Sequence, residues 1–150
     1  MRWSTGEATV ERLLATGHID RVQGAQADGQ SWLERARRGL DAARVLAESA
    51  PDSSVVLAYD AARQACVALL AQQGLRPTTS GGHYAIEEVI RAQFGPTLRA
   101  FGGLRRRRNE LEYPLYPTEQ ASAAEAAETL ETADDVIEAA AKILPNLSFF

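Results

Sequence analysis

Val55-Val56-Leu57-Ala58-Tyr59-Asp60-Ala61-Ala62-Arg63-Gln64-Ala65-Cys66-Val67-Ala68-Leu69-Leu70-Ala71-Gln72-Gln73-Gly74 is the stretch from which the fold reads outward. Val55, Val56, Tyr59, Ala62, Cys66, Leu69 and Leu70 recur at the spacing of one helical face. Pro51-Asp52 restarts the chain ahead of them, and Gly74 is a natural stop just past the last helical turn. The apolar run through Cys66 to Ala71 is too short to span a bilayer.

The neighbouring segments read the same way. Upstream, Ser31 and Glu34 have capping-box spacing, and Leu33, Ala36, Leu40, Ala43 and Ala47 mark one face of a helix running to about Ser49. Ser4 and Glu7 repeat the spacing before a short helix over Glu7 to Ala15, stopped by Gly17. Residues 20 to 30, with Gly24 and Gly29 among polar side chains, read as a linker. Downstream, residues 75 to 82 read as a loop, followed by a helix carrying Ile86, Val89, Ile90 and Phe94. Gly95-Pro96 ends that helix and starts the next, with Leu98, Phe101, Leu104, Arg108 and Leu111 on one face. Pro114 and Pro117 bracket a kink. A last helix from about Thr118 to Leu144 turns Ala123, Ala127, Leu130, Ala133, Ile137, Ala140 and Leu144 inward. It turns Glu125, Glu128, Glu131, Asp135 and Glu138 outward. No segment alternates with period two long enough to predict a strand, and no solenoid repeat is visible. The expected fold is all-α: an antiparallel four- to five-helix bundle over residues 31–150, preceded by an N-terminal helix and linker over residues 1–30.

Composition sets the outer limits. A chain of 150 residues, 45% apolar and 24% charged, is the size and make-up of one soluble domain. The net charge of −4 argues against a protein that coats nucleic acid, while leaving room for a local basic site. One cysteine permits no intrachain disulfide and no thiolate zinc cage. No histidines and carboxylates show metal-ligand spacing, so no metal or cofactor is expected. The first residues lack the apolar stretch of a secretory signal, and the expected location is cytoplasmic, with no membrane partner.

The feature that departs from an ordinary bundle is Arg105-Arg106-Arg107-Arg108-Asn109-Glu110-Leu111-Glu112-Tyr113. Consecutive helical residues point about 100° apart, so four arginines in a row wrap the helix and cannot share one solvated face. Arg108 falls on the Leu104/Leu111 stripe. A guanidinium there needs carboxylates, carbonyls or a bound phosphate, because an unpaired buried charge is costly. Asn109 and Tyr113 lie one turn apart. Two readings follow. In one, Arg105, Arg106, Arg107 and Arg108 form an anion site, with Asn109 adding an amide and Tyr113 a phenol. In the other, the arginines pair internally with Glu110, Glu112 and the acidic last helix.

His83 follows Ser80-Gly81-Gly82 at a helix start. It reads either as a contact holding the loop or as part of an anion site, although the spacing fits neither the P-loop nor the dinucleotide fingerprint. His18 reads as a solvated or capping residue and Cys66 as a buried small hydrophobe. Tyr113-Pro114-Leu115-Tyr116-Pro117 reads as a turn or a partner-binding segment. The Phe149-Phe150 tail docks either on the bundle or on a second subunit.

Taken together, the chain resembles the HEPN domains (higher eukaryote and prokaryote nucleotide-binding) over about residues 30 to 144. The likeness rests on the alanine-rich segment Tyr59 to Gly74, on Gly82-His83 opening a helix, and on Arg105 to Tyr113 ahead of a proline turn and a last helix. The resemblance implies a helical bundle that pairs into a homodimer, with two arginine motifs facing each other. Catalytic members are metal-independent endoribonucleases, many of them toxins or defence effectors. Others bind RNA or nucleotides without cleaving, often beside a nucleotidyltransferase-type antitoxin. Position by position, Arg108 matches the motif arginine and Asn109 the polar residue after it. The motif histidine falls on Tyr113, a departure, since a phenol with a pKa of about 10 transfers protons poorly near neutrality. The resemblance makes Arg108, Asn109 and Tyr113 the catalytic candidates, and Arg105, Arg106, Arg107 and His83 candidates for RNA or phosphate binding. The rival from another class is a helical protein-interaction module whose arginines are all ion-paired.

Overall fold

The computed structural model describes residues 2–150. Its centre is helix α3 (Pro51–Gln72), buried on nearly every side. By length and mean hydropathy (1.3) it could cross a membrane, yet 72% of its apolar window is buried within the protein, where it serves as the core helix. Helix α2 (Gly29–Leu46) reaches it through a short turn, and Ser54 Oγ donates to the Ala43 carbonyl (2.7 Å) across that corner. Helix α6 (Ala123–Ile143) packs on both. Arg44 faces Asp134 (3.6 Å) and Arg37 faces Glu138 (3.5 Å), so α2 and α6 run antiparallel. Helix α4 (Gly82–Phe94) packs on α3 and on α1 (Glu7–Ala15), while α5 (Ala100–Glu112) lies over α3 and α6. The architecture is the expected helical bundle.

The inward stripes follow the 3.6-residue period. Leu33, Ala36, Leu40 and Ala43 of α2 meet Ala58, Ala62, Ala65 and Leu69 of α3, all almost fully buried. Alanine on facing stripes lets the helix axes approach closely. In α6 the buried stripe begins at Ala126 and Thr129, whereas Ala123 and Ala127 are exposed, so the expected inner face holds from Leu130 onward.

Five local expectations are corrected. Residues 19–21 and 75–77, read as linker and loop, form a two-stranded antiparallel sheet: β1 (Ile19–Arg21) pairs with β2 (Leu75–Pro77), Ile19 opposite Pro77 and Arg21 opposite Leu75. Three residues are too few for an alternation to show. The pairing is set by the chain reversal at Gly74 (φ 71°), whose carbonyl accepts from Val22 N–H (2.7 Å). A 3₁₀ turn at Gly24–Ala27 then leads into α2. The α2 cap is Asp28 rather than Ser31: its carboxylate accepts from Ser31 N–H (2.9 Å) and Ser31 Oγ (2.6 Å), bonds that lower its pKa. The Ser4 side chain likewise does not cap α1, whose N-cap is Gly6. Finally, α5 begins at Ala100 rather than at Pro96, and α6 begins at Ala123 behind the Ser122 cap, leaving residues 113–122 irregular.

The ends of the chain fold back on the body. Trp3 Nε1 donates to the Gln93 carbonyl (3.1 Å), and its ring meets Phe94 at 5.0 Å. Phe150 is buried: its N–H donates to the Gln73 carbonyl (3.0 Å), and its carbonyl accepts from Arg21 Nη1 (2.8 Å). Phe149 stays exposed.

Candidate anion site

The four arginines of α5 meet four different environments, as their angular spacing requires. Arg107 points toward α6. Its Nη1 donates to Glu110 (2.9 Å) and Glu119 (2.6 Å), its Nη2 to Glu125 (3.1 Å) and the Gln120 carbonyl (3.2 Å), and its Nε pairs with Glu125 as well. These carboxylates raise its pKa further. Arg107 is therefore a structural pin holding α5, the irregular 113–122 segment and the start of α6 together. Arg105 points toward α4 and pairs with Glu87, a nearly buried carboxylate that also accepts from Arg91 (3.0 Å). Arg106 is exposed and lines an open cleft of about 450 Å³ with Arg91, Arg99 and an apolar floor of Ile90, Leu98 and Phe101.

Arg106 and Arg108 both lack an ion pair among the described residues, but Arg106 is exposed and Arg108 is not. Arg108 is half-buried and has no carboxylate within ion-pair reach among the described residues. Its Nη1 donates to Asn109 Oδ1 (3.2 Å), its Nε is buried without a hydrogen-bond partner, and its guanidinium carbon lies 6.0 Å from the centre of the Tyr59 ring. That ring stacks on Phe101 (5.7 Å, 12° between planes) and is fully buried. The Tyr59 hydroxyl lies 2.8 Å from His83 Nδ1 at the start of α4. Arg63, one turn further along α3, faces Asp60 at 3.5 Å.

Three elements thus converge: α3 with Tyr59, Asp60 and Arg63; α4 with His83; α5 with Arg105 and Arg108. Electrostatics records the convergence. Burial pushes the Tyr59 phenol up to about 12, against the opposing pull of Arg63, Arg105 and Arg108. Burial also lowers the His83 pKa, and the Arg63 and Arg108 guanidiniums lower it further, with Asp60 opposing. Both rings stay uncharged at neutral pH. The cluster offers guanidinium and imidazole groups, with Asp60 engaged by Arg63 and Glu87 by Arg105. Donors of this kind can hold an anion.

The glycine before this site is dictated by close approach. A Cβ at Gly81 would stand 2.0 Å from the His18 carbonyl oxygen, so a side chain there would push the start of α4, and His83 with it, off the β1 end. Thr78 reinforces the corner, donating its N–H to the His18 carbonyl (3.0 Å) and its hydroxyl to the Gly17 carbonyl (2.7 Å).

Of the residues singled out from sequence, the fold brings Arg105, Arg108, Asn109 and His83 to one region and turns Arg106 and Arg107 to two others. Tyr113 closes α5 with its N–H on the Asn109 carbonyl (2.9 Å), but its side chain is 77% exposed and has no partner among the described residues. Tyr59 and Arg63 were not singled out. The signal was present: a tyrosine on an apolar stripe demands a partner for its hydroxyl, and an arginine four residues on shares its face.

The fold is thus a helical bundle whose penultimate helix carries a half-buried arginine with no ion pair among the described residues. The family follows from comparison. The HEPN domain model matches residues 30–144, and the chain belongs to the HEPN family, which is associated with nucleotide binding and ribonuclease activity. No curated protein and no solved structure matches the chain.

Proposed function

We propose that this HEPN protein binds RNA or a nucleotide through its phosphate, with Arg108 as the principal anion ligand, Arg105 beside it and Asn109 holding the Arg108 fork in place. The observation that carries the reading is the Arg108 guanidinium, half-buried with no carboxylate in reach among the described residues. A charge taken partly out of water without a counter-charge is costly, and a phosphate oxygen pair fits a guanidinium fork in two parallel hydrogen bonds. The resemblance extends the proposal to a homodimer in a prokaryotic toxin–antitoxin or defence system, located in the cytoplasm, with a nucleotidyltransferase-type protein as antitoxin. In a dimer the two Arg108-Asn109 motifs would share one cleft.

Metal-independent RNA cleavage is the catalytic form of this reading, with Arg108 stabilising the phosphate. Tyr113 in place of a histidine favours binding without turnover. The test is incubation of the purified protein with a tRNA pool in chelator, beside Arg108→Ala and Tyr113→Phe, with binding followed on the same samples. Intact RNA with binding lost in Arg108→Ala is the expected result. Binding unchanged in Arg108→Ala overturns the proposal.

A second reading is favoured by a different observation. Tyr113 (77%), Leu115 (86%) and Tyr116 (66%) are exposed in succession on one irregular segment. Such a patch supports a protein-interaction module, and it predicts association that survives Arg108→Ala and is lost when Leu115 and Tyr116 become serine.

A further inference from the structure

We infer that Tyr59 locks His83 as a neutral imidazole carrying its proton on Nε2, so that His83 serves the phosphate site as an N–H donor and not as a proton acceptor. The inference rests on the anion-site reading above and assigns Tyr59 and Arg63 to that site.

The argument starts from the hydroxyl. Tyr59 is fully buried, and His83 Nδ1 at 2.8 Å is the hydrogen-bond partner its hydroxyl has among the described residues. A buried O–H left without an acceptor forfeits its desolvation cost with no return. The hydroxyl therefore donates and Nδ1 accepts. A neutral imidazole that accepts at one nitrogen carries its proton at the other, so Nε2 is an N–H. Protonating the ring would turn Nδ1 into a second donor aimed at the Tyr59 oxygen, leaving the phenol proton without a partner. The charged groups around the ring act in the same direction. Arg63 on α3 and Arg105 and Arg108 on α5 oppose a further positive charge; of the carboxylates here, Asp60 faces Arg63 and Glu87 of α4 pairs with Arg105.

The consequence is a cradle of donors. Nε2–H has no acceptor among the described residues, and the Arg108 Nε is buried with none. A phosphate oxygen can accept from either. Since Nε2 already holds a proton, it cannot take one from a ribose 2′-hydroxyl.

The test reads the ring directly. In ¹⁵N-labelled full-length protein, long-range imidazole spectra identify the tautomer, and adenosine 5′-monophosphate is titrated in with adenosine as the uncharged control. The expected result is a pyrrole-like Nε2 and a pyridine-like Nδ1 at pH 7, with Nε2 shifting for the monophosphate and not for adenosine. The reverse tautomer, or no Nε2 shift on adding the monophosphate, overturns the inference. Binding of a single-stranded RNA oligonucleotide adds a second readout. His83→Gln keeps an N–H near the Nε2 position and stays within about threefold of wild type, whereas His83→Ala weakens binding about tenfold. Equal losses in both variants count against the donor role. Tyr59→Phe releases the lock, and the imidazole then titrates at higher pH than in wild type. An Nε2 shift that persists while Arg108→Ala leaves RNA binding intact sinks the Arg108 reading and spares this one.

Discussion

Arg107→Ala and Arg108→Ala, one residue apart, are expected to have opposite effects, and the difference can be worked from their partners. Arg107 touches three carboxylates and a carbonyl, with its own side chain 24% exposed and those of Glu125, Glu119 and Glu110 at 31%, 41% and 61%. An exposed pair such as Arg107–Glu110 is worth almost nothing, and a half-exposed one at most about 1 kcal/mol. Counting the Glu125 pair near the top of that range and the Glu119 pair in the middle gives about 1.5 kcal/mol. For a chain of this size that lowers Tm by roughly 3–6 °C. Arg108→Ala removes a ring contact at 6.0 Å and one hydrogen bond to Asn109, while relieving a poorly compensated charge. Its net stability change is expected within about 1 kcal/mol of zero. Thermal melts measure this side. The binding side is read by fluorescence anisotropy on a labelled single-stranded RNA across a salt series. Arg108→Ala is expected to weaken binding about tenfold and to reduce the slope of log K against log salt by about 0.7, one phosphate contact. Arg107→Ala leaves that slope unchanged. A larger Tm loss in Arg108→Ala than in Arg107→Ala would refute the assignment of pin and ligand.

Other perturbations probe the frame around the site. Gly81→Ala places a methyl carbon 2.0 Å from the His18 carbonyl, and is expected to lower Tm and to broaden or shift the His83 resonances even where the protein still folds. Gln73 and Gln93 exchange amide hydrogen bonds at 2.9 and 2.8 Å in the buried interior; Gln73→Leu strands the Gln93 amide and is expected to cost about 2–3 kcal/mol by urea titration, with RNA binding per folded molecule unchanged. The depressed His83 pKa sets a pH dependence. Below the ordinary histidine value of about 6.5 the unfolded chain takes up a proton that the folded chain resists, so this contribution to stability is present above that pH and is lost as pH falls through the lowered folded value. The Tm difference between pH 7.5 and pH 5 is therefore expected to shrink in His83→Gln.

Much of the bundle was legible because helical periodicity is local. Alanine and leucine at three- and four-residue spacing are enough to bury one face, whatever the neighbour, and α2, α3 and the later part of α6 follow that rule. The strands were not legible, since three residues carry no period and their pairing depends on a turn at Gly74 meeting a segment some fifty residues upstream. The start of α5 was misplaced because Pro96 is compatible with a helix start, yet the turn from Phe94 runs on, with Thr97 and Leu98 N–H groups both donating to the Phe94 carbonyl (2.9 and 3.1 Å).

The candidate site divides along the same line. Four successive arginines on a helix must point four ways; that follows from the backbone geometry alone, as does the need of a half-buried guanidinium for a partner. Which arginine lacks one is a property of the tertiary structure, because the carboxylates that satisfy Arg105 and Arg107 come from α4, from residue 119 and from α6. The contact between Tyr59 and His83 spans 24 residues and exists only because α4 is set against α3 by the Gly81 corner. Sequence by itself determined that this chain is a helical bundle carrying an excess of positive charge on one helix. The packing of that helix against three others decided where the charge is left uncompensated, since charge compensation depends on separations in space.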